Sequence, residues 1–348
     1  MKKILQYTIS LIIAGALFWY VYKEHDISEL LSVFKQANPV WILISVAVSL
    51  VSHYSRGLRW GLALKPLGYN TSNFRIFMAT LSAYFANAVV PRMGEVVRCS
   101  VLYKTERVPV KVSFGAVITE RALDMIVFLA LASTMFLMEF DKVSGFVFKL
   151  IDDGSDQMVN KFIILGVLGI SGLAVLALMV IFRNRLRQLP LYHKVVDFIS
   201  GFADGLTSIR KMSTKDQFLY VVHTANIWFM YYLMSYLLFF ASDTTADLGM
   251  RCAFAAMMMG GLGMIIPTPG GAGSYHLLVT QTLIAYGLTE MEAGAFAFLM
   301  HGSQTLSIVF FGGLSLIISN QIGRKKSKEA PQPTDDKSIP LQESSNNR

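Results

Sequence analysis

The sequence predicts an all-α, polytopic membrane protein with six full spans and two re-entrant helical hairpins in an inverted-topology repeat. Three observations predict this class. Several apolar runs reach the ~20 residues that a helix needs to cross a bilayer. Two runs are broken by a proline followed three positions later by glycine, at Pro91–Gly94 and Pro267–Gly270. Lysine and arginine concentrate in loops that this arrangement places on one side of the membrane.

The composition excludes an ordinary soluble domain. Hydrophobic residues make up 53% of the 348 residues and charged residues only 16%, against roughly 25% charged in soluble proteins. The net charge of +8 does not indicate nucleic-acid binding, because the basic residues follow the loops of a membrane topology. No P-loop is present, so any transport is expected to run downhill or on a proton gradient or potential.

The apolar runs define eight predicted membrane segments. They cover 4–22, 39–55, 74–97, 112–138, 161–182, 217–241, 250–288 and 291–319. The first follows Lys2 and Lys3 but is long for a signal sequence and lacks a small-residue cleavage site, so we interpret it as a retained span. The third and seventh contain the two breaks.

The positions of charge favour hairpins over full crossings for 74–97 and 250–288. If 74–90 crossed completely, the basic loop 98–111 would lie outside and the acidic loop 140–160 inside, which opposes the positive-inside rule twice. If both segments enter and return, every basic cluster lies inside, as do the N- and C-termini. The first hairpin then opens toward the cytoplasm and the second toward the outside.

The predicted organisation has two membrane repeats. Residues 1–138 form the first, with hairpin 74–97, and residues 161–319 form the second, with hairpin 250–288 and a cytoplasmic connector at 183–216. An external loop at 139–160 separates them, and a disordered cytoplasmic tail follows at 320–348. Local similarity supports the repeat: Phe114-Gly-Ala-Val matches Ala293-Gly-Ala-Phe, and on an offset one residue longer Arg121 faces His301 and Asp124 faces Gln304.

The first group of intramembrane charges follows the first break. Arg92, Glu95 and Arg98 would share one face if they are helical. Ionisable residues at membrane depth indicate function by default, and arginines and helix N-termini both favour phosphate. The alternative is a self-neutralising Arg92–Glu95 pair with Arg98 at the interface.

The second group lies in the segment 112–138. Glu120 and Asp124 are four residues apart and fall on one helix face, where Arg121 can reach Asp124. This group is interpreted either as a buried network that holds the span against the hairpin or as a substrate contact.

The second break has little charge. Gly270, Gly271 and Gly273 allow close backbone approach, and their N–H groups could receive an anion; a tight packing crossover is the alternative. His301 is either a core histidine or the counterpart of Arg121. No metal ligand cluster or cofactor motif is recognised, and Cys99 and Cys252 have no metal or disulfide spacing.

A further group is interpreted as an interfacial anchor, because aromatic residues and arginines favour the headgroup level. Its members are His53, Tyr54, Arg56, Arg59 and Trp60.

Three motifs in order resemble the transmembrane, flippase-like family of the lysylphosphatidylglycerol synthases. They are Asn87-x3-Pro91-Arg92-x-Gly94-Glu95-x2-Arg98, Glu120-Arg121-x2-Asp124, and Pro267-x-Pro269-Gly270-Gly271-x-Gly273. The resemblance spans roughly residues 5–320. We expect a lipid headgroup to bind at the tips of the two hairpins, with Arg92 and Arg98 on its phosphate and with carboxylates that balance them or bind a cationic headgroup. These carboxylates are Glu95, Glu120 and Asp124, and the other motif residues, with His301, are further candidate contacts. Family members often have arginine near the position of His301, which is a departure.

The resemblance implies a protein that moves a lipid between leaflets. Synthases of this family join the membrane module to a cytoplasmic aminoacyl-transferase domain, whereas stand-alone members are implied to handle phospholipids, hopanoid precursors or polyprenyl-phosphate sugars. Only about 29 residues follow the last predicted span here, so we expect no transferase domain and no enzyme activity.

The expected function is therefore lipid translocation in the cell membrane, acting on anionic or polyprenyl-phosphate lipids. The alternatives are a membrane-embedded headgroup transferase and a non-transporting scaffold for a lipid-modifying enzyme.

Overall fold

The computed structural model describes residue 19, residues 35–140, residue 142 and residues 209–329. The predicted span 4–22, apart from residue 19, and the predicted span 161–182 lie outside the described residues. So do most of the predicted external loop, most of the connector 183–216, and residues 330–348 of the predicted tail.

The described regular structure is entirely helical, which confirms the all-α prediction. Eight α-helices, numbered among the described residues, are α1 (Pro39–Leu64), α2 (Asn73–Val89), α3 (Gly94–Glu106), α4 (Val110–Met138), α5 (Thr214–Leu238), α6 (Gly249–Ile265), α7 (Ser274–Ala285) and α8 (Glu290–Glu329). Short 3₁₀ turns cover Lys65–Leu67, Phe239–Ala241 and Pro269–Gly271. By length and composition, four helical segments of the described chain can cross a membrane: Pro39–Leu67, Val110–Met138, Thr214–Ala241 and Glu290–Lys325.

Two of the long helices begin at side-chain caps. The Asn38 carboxamide oxygen accepts from the backbone N–H of Val40 at 3.0 Å, and Pro39 occupies the first turn of α1, where a missing N–H is harmless. The Ser213 hydroxyl accepts from the N–H of Asp216 at 3.2 Å at the start of α5. These caps satisfy backbone donors that the first turn of a helix leaves unpaired.

Two pairs of shorter helices surround the predicted breaks. Helices α2 and α3 contain 17 and 13 residues, and α6 and α7 contain 17 and 12. Each is shorter than the ~20 residues of a full crossing. The chain between α2 and α3, residues 90–93, is called the first turn. The Asn87 side chain joins its two sides by accepting from Gly94 N at 2.7 Å. The chain between α6 and α7, residues 266–273, is called the second turn. The Ser274 hydroxyl joins its two sides by donating to Gly263 O at 2.7 Å.

The described helices repeat in order, and the first three of each set also repeat in length. Helices α1 to α4 have 26, 17, 13 and 29 residues, and α5 to α8 have 25, 17, 12 and 40. The starts of α3 and α7, and those of α4 and α8, are related by one constant offset. This is the offset at which Arg121 faces His301.

Loops gather at two ends of the molecule. At one end, Ser72 N donates to the Glu106 carboxylate at 2.7 Å and Lys65 pairs with Asp216 at 2.7 Å. Both open ends of the α2–α3 pair are therefore together. At the other end, Asn38 N donates to Ala241 O at 2.8 Å, and Leu288 after α7 packs in one core cluster with Ala241.

Helix α1 packs along α5 through a stripe of serines, which allows close approach of the two backbones. Ser45 Oγ donates to Met234 O at 2.9 Å, and Ser55 Oγ accepts from the Asn226 amide at 2.7 Å. This contact places the first half of the molecule directly against the second.

Three helix boundaries differ clearly from the prediction. Helix α3 continues to Glu106, nine residues past the predicted end of hairpin 74–97, so Arg98 and Lys104 of the predicted loop are helical. Helix α1 continues nine residues past the predicted end of span 39–55, so the loop expected to hold Arg56 and Arg59 is helical. Helix α8 runs to Glu329 and includes the first residues of the predicted tail.

Candidate functional site

A continuous set of ion pairs lies between α1, α3 and α4. Asp124 binds Arg56 through Oδ2 at 2.8 Å and Arg59 through Oδ1 at 2.7 Å. Glu120, one turn earlier, binds Arg98 at 2.7 Å and has the Arg59 Nε at 3.5 Å. Arg59 therefore lies between both carboxylates of α4.

This set, hereafter the buried network, consists of Arg56, Arg59, Arg98, Glu120 and Asp124. Every member is buried, with at most 8% of the residue exposed. Taking charges out of water costs several kcal/mol per ion unless they are paired and hydrogen-bonded. Pairing explains how five ionisable side chains persist in helices this apolar.

The buried network holds three arginines and two carboxylates, so it carries one surplus positive charge. Aromatic and hydroxyl groups surround the arginines. Arg56 Nη2 donates to the Tyr231 hydroxyl at 3.2 Å, which lies 3.1 Å from the Tyr84 hydroxyl. The Arg98 guanidinium lies 4.5 Å from the centroid of the Trp60 ring, a cation–π distance.

The interfacial-anchor interpretation of Arg56, Arg59 and Trp60 is wrong. Trp60 and Arg59 are completely buried and Arg56 nearly so. The available signal was that Arg56 and Arg59 are three residues apart, on one face of a helix that simply continues the apolar run.

Arg92 in the first turn is placed differently from the prediction. Helix α3 begins at Gly94, so Arg92 lies outside it with a left-handed φ of 64°. Arg92 cannot share a helix face with Glu95 and Arg98, and its side chain is exposed. A left-handed non-glycine residue stores strain of order 1–3 kcal/mol, which is found at functional turns.

Two expected pairings are replaced by cross-pairs between helices. Glu95 binds Arg121 of α4 at 2.7 Å rather than Arg92, and Asp124 binds the arginines of α1 rather than Arg121. Arg121 is 46% exposed and Glu95 23%. This pair is the accessible part of the polar cluster and lies outside the buried network.

Asn87, Pro91 and Gly94 shape the first turn. Gly94 is buried, and a Cβ on it would collide with the Ala83 carbonyl and the Asn87 side chain. Asn87 in turn accepts from the Gly94 N–H. These residues therefore set the backbone path on which Arg92 and Glu95 are carried.

The second turn is built from glycines in left-handed conformations. Gly270, Gly271 and Gly273 have φ values of 59°, 78° and 80°, which only glycine adopts without strain. Pro267 precedes the turn, and Pro269 begins its 3₁₀ segment. His301 Nε2 lies 2.8 Å from the Gly270 carbonyl oxygen, so His301 contacts this turn directly.

The counterpart relation between Arg121 and His301 extends to their partners. Arg121 binds Glu95, and the His301 ring stacks on Tyr275 with centroids 4.9 Å apart. Glu95 and Tyr275 are related by the same offset as Arg121 and His301. A charged contact in the first half is thus replaced by an aromatic contact in the second.

The two turns meet. The segment Pro269–Gly271 packs against α2, and a Cβ on Gly270 would lie 3.7 Å from Ala88 Cα. Sites that are far apart in sequence are therefore joined at one place in the described structure. Within the described residues, no group of three metal-ligating side chains occurs.

Comparison with known proteins agrees with the sequence motifs. The family model "Lysylphosphatidylglycerol synthase TM region" matches residues 7–312. A UPF0104 membrane protein of Methanocaldococcus jannaschii is 22% identical over 356 residues, covering 94% of this chain and 99% of that protein. The glycosyltransferase AglD of Haloferax volcanii is 26% identical over 321 residues, covering 84% of this chain and 51% of that protein.

No solved structure matches the chain significantly. The family match covers most of the chain, and it includes both turns and the buried network. The protein therefore belongs to the family of the lysylphosphatidylglycerol synthase transmembrane region.

Proposed function

We propose that this protein moves a lipid between the two leaflets of the cell membrane, binding the headgroup where the two turns meet. The observation that carries the proposal is the contact of two broken helix pairs at Ala88 and Gly270. Irregular backbone at membrane depth is tolerated where it lines a cavity or packs in protein. Paired interruptions in corresponding halves are typical of transporter binding sites.

In this proposal the two helix pairs are re-entrant hairpins that open to opposite sides, with both termini in the cytoplasm. The short lengths of α2, α3, α6 and α7 support it, as does the gathering of each pair's open ends at one end of the molecule. Six full spans and two hairpins would then form the inverted repeat.

The accessible charges are the proposed headgroup contacts. Arg92 and Arg121 are exposed cations beside the first turn, and Glu95 fixes the orientation of Arg121 through a 2.7 Å ion pair. Arginine suits the phosphate of a phospholipid or of a polyprenyl-phosphate lipid. The buried network has a positioning role, since it fastens α3 and α4 to α1 behind the first turn.

The test is lipid exchange in vesicles that contain the purified protein and fluorescent phospholipids. We expect Arg92→Gln and Arg121→Gln to lower the rate about tenfold or more, because a hydrogen bond to a charged group is worth roughly 1.5–3 kcal/mol. Lys111→Gln is the control, because it removes an exposed cation from α4, the helix that carries Arg121. This variant should exchange lipid at the wild-type rate. Folded Arg92 and Arg121 variants that work at the wild-type rate would overturn the headgroup site.

A second candidate is a membrane-embedded headgroup transferase, because one relative, AglD of Haloferax volcanii, is a glycosyltransferase. This chain spans about half of that relative. The described carboxylates of the site are all engaged, Glu95 by Arg121 and the other two within the buried network. Headgroup turnover in detergent, without a second compartment, would favour this candidate over translocation.

A further inference from the structure

Two histidines lie against each other beside the second turn. The ring centroids of His276 on α7 and His301 on α8 are 4.6 Å apart, and the two rings are nearly perpendicular. His276 is buried, whereas His301 is partly exposed. Histidine is the side chain that ordinarily changes its charge between pH 5 and 8, and histidines at membrane depth often belong to proton paths. The pair is therefore a candidate proton site.

The backbone of the second turn assigns the protons of both rings. The Gly273 N–H donates to His276 Nδ1 at 3.2 Å, so this nitrogen carries no proton and the His276 ring is neutral. His301 Nε2 lies 2.8 Å from the Gly270 carbonyl oxygen, which only accepts, so Nε2 carries a proton. A second proton on His301 must then bind Nδ1, where it leaves the bond to Gly270 intact. A proton on His276 Nδ1 would instead break the bond from Gly273.

The neighbouring helices bring one further titratable group to the pair. Tyr275 of α7 stacks on His301, and a phenol ordinarily stays neutral below about pH 10. The other contacts of the pair and its turn that α8, α6 and α2 make are with uncharged residues, namely Phe298, Gly260, Gly263 and Ala88. Among these contacts a charged His301 meets no carboxylate. An anion that balances such a charge must come from a ligand.

The two halves of the molecule differ in how they carry positive charge. Arg121 is always charged, whereas its counterpart His301 is a cation only when Nδ1 binds a proton. The two turns meet at Ala88 and Gly270, and His301 contacts Gly270. A phosphate held there by the cations of the first half would favour a proton on His301. By reciprocity, a protonated His301 would favour the phosphate.

We propose that His301 takes up one proton when the lipid headgroup binds and releases it when the headgroup leaves, so that a proton gradient drives translocation. The proton comes from water on the side where the headgroup enters, binds Nδ1, and returns to water on the other side. One proton and one singly charged phosphate move together, so the step transfers no net charge. The proposal rests on the proposed function and supplies its energy source.

The test uses vesicles that contain the full-length protein, a trace of fluorescent phosphatidylglycerol and a pH difference of one unit. Equal potassium concentrations with valinomycin hold the membrane potential at zero. Coupling to one proton should enrich the probe about tenfold in the leaflet on the alkaline side. A protonophore should then restore an even distribution. Uncoupled exchange would distribute the probe evenly at any pH difference.

Two variants of His301 separate its charge from its hydrogen bond. His301→Gln keeps an N–H donor for Gly270 but binds no proton, and His301→Arg is charged at every pH. We expect slower exchange in the glutamine variant and an even distribution in both variants, despite the gradient. His223→Gln on α5 is the matched control and should keep the tenfold enrichment. The same enrichment in either His301 variant would overturn the proposal.

A second measurement needs no transport. Nitrogen NMR of histidine-labelled protein in detergent at pH 7 reports the protonation of each ring, and the spectrum of His301→Gln assigns the signals. We expect added phosphatidylglycerol to protonate His301 while His276 stays neutral. A His301 ring that stays neutral would overturn the proton site.

The two measurements together distinguish this proposal from the proposed function. Lipid exchange that stays even across the pH difference would reject the proton coupling alone. Protonation of His301 without any exchange would reject translocation alone. Neither exchange nor protonation would reject both.

Discussion

Asp124 neutralises two buried arginines of α1. Its two oxygens bind Arg56 and Arg59 at 2.8 and 2.7 Å, and removing one partner of a buried pair leaves the other charge uncompensated. We expect Asp124→Asn to lower the free energy of unfolding by about 3–5 kcal/mol, measured by denaturant unfolding in detergent.

The matched control for this prediction is Arg121→Gln. Its pair with Glu95 is 46% exposed on the arginine side, and exposed pairs contribute about 1 kcal/mol or less. Equal losses of stability in the two variants would contradict the distinction between the buried network and the accessible pair.

Gly94 permits the first turn to close. Its missing Cβ leaves room for the Ala83 carbonyl and the Asn87 side chain, so Gly94→Ala should destabilise the protein by about 1–3 kcal/mol. Gly115→Ala on α4 meets nothing within 4 Å and should stabilise slightly, because alanine is the better helix former. Thermal unfolding of both variants checks the opposite signs.

At the scale of elements, the meeting of the two helix pairs can be captured chemically. In a background without Cys99 and Cys252, we expect Ala88→Cys and Gly270→Cys together to form a disulfide on mild oxidation, since the two positions are in van der Waals contact. Peptide mapping of the oxidised protein detects the bond.

The control combines Ala88→Cys with Gly287→Cys. Gly287 also has a positive φ, at 103°, but it follows α7 at its far end from the second turn. A disulfide in this control, or none between positions 88 and 270, would contradict the contact of the turns.

The helix bounds show how much of this structure the sequence could predict. The bounds of α4 agree with the predicted span to within two residues at its start, and both breaks occur where proline and glycine interrupt apolar runs. The end of α1 was missed because Arg56 and Arg59 look like a loop to any measure of local hydropathy. Their partners, Asp124 and Glu120, lie on another helix, and pairing over that distance leaves no local signal.

Pairing between helices also explains why the partners of the site residues were predicted incorrectly. Arg98, Glu120 and Asp124 were recognised as intramembrane charges, but their partners were assigned within short stretches of sequence. The observed pairs Arg98–Glu120 and Glu95–Arg121 instead join helices. Arg92 was expected on a helix face, and its left-handed φ could not be foreseen because that region is rare for any residue other than glycine.

For the whole molecule, the two ends are expected to face opposite sides of the membrane. Single cysteines at Lys111, beside the open end of α2 and α3, should react with an impermeant maleimide only from the cytoplasmic side. Cysteines at Gly287, beside the open end of α6 and α7, should react only from the outside. Labelling of intact cells and of inverted vesicles distinguishes the two.

The cysteine-free protein measures background labelling. Cys99 and Cys252 are buried, so the wild-type protein should add little to that background. Labelling of positions 111 and 287 from the same side would contradict the opposed hairpins, while leaving the helix pairs themselves intact.

The unequal lengths of α4 and α8 have a consequence of their own. The two helices begin at corresponding positions, yet α8 has 40 residues and α4 has 29, so α8 is longer by roughly 16 Å at 1.5 Å per residue. Arg324 and Lys325 are exposed in this additional length, just after Gly323 packs against Lys104 of α3, and lysine and arginine favour the inner face of a membrane. If the two halves are otherwise alike, they give the protein no preferred orientation in the membrane, and we expect the basic end of α8 to supply that preference.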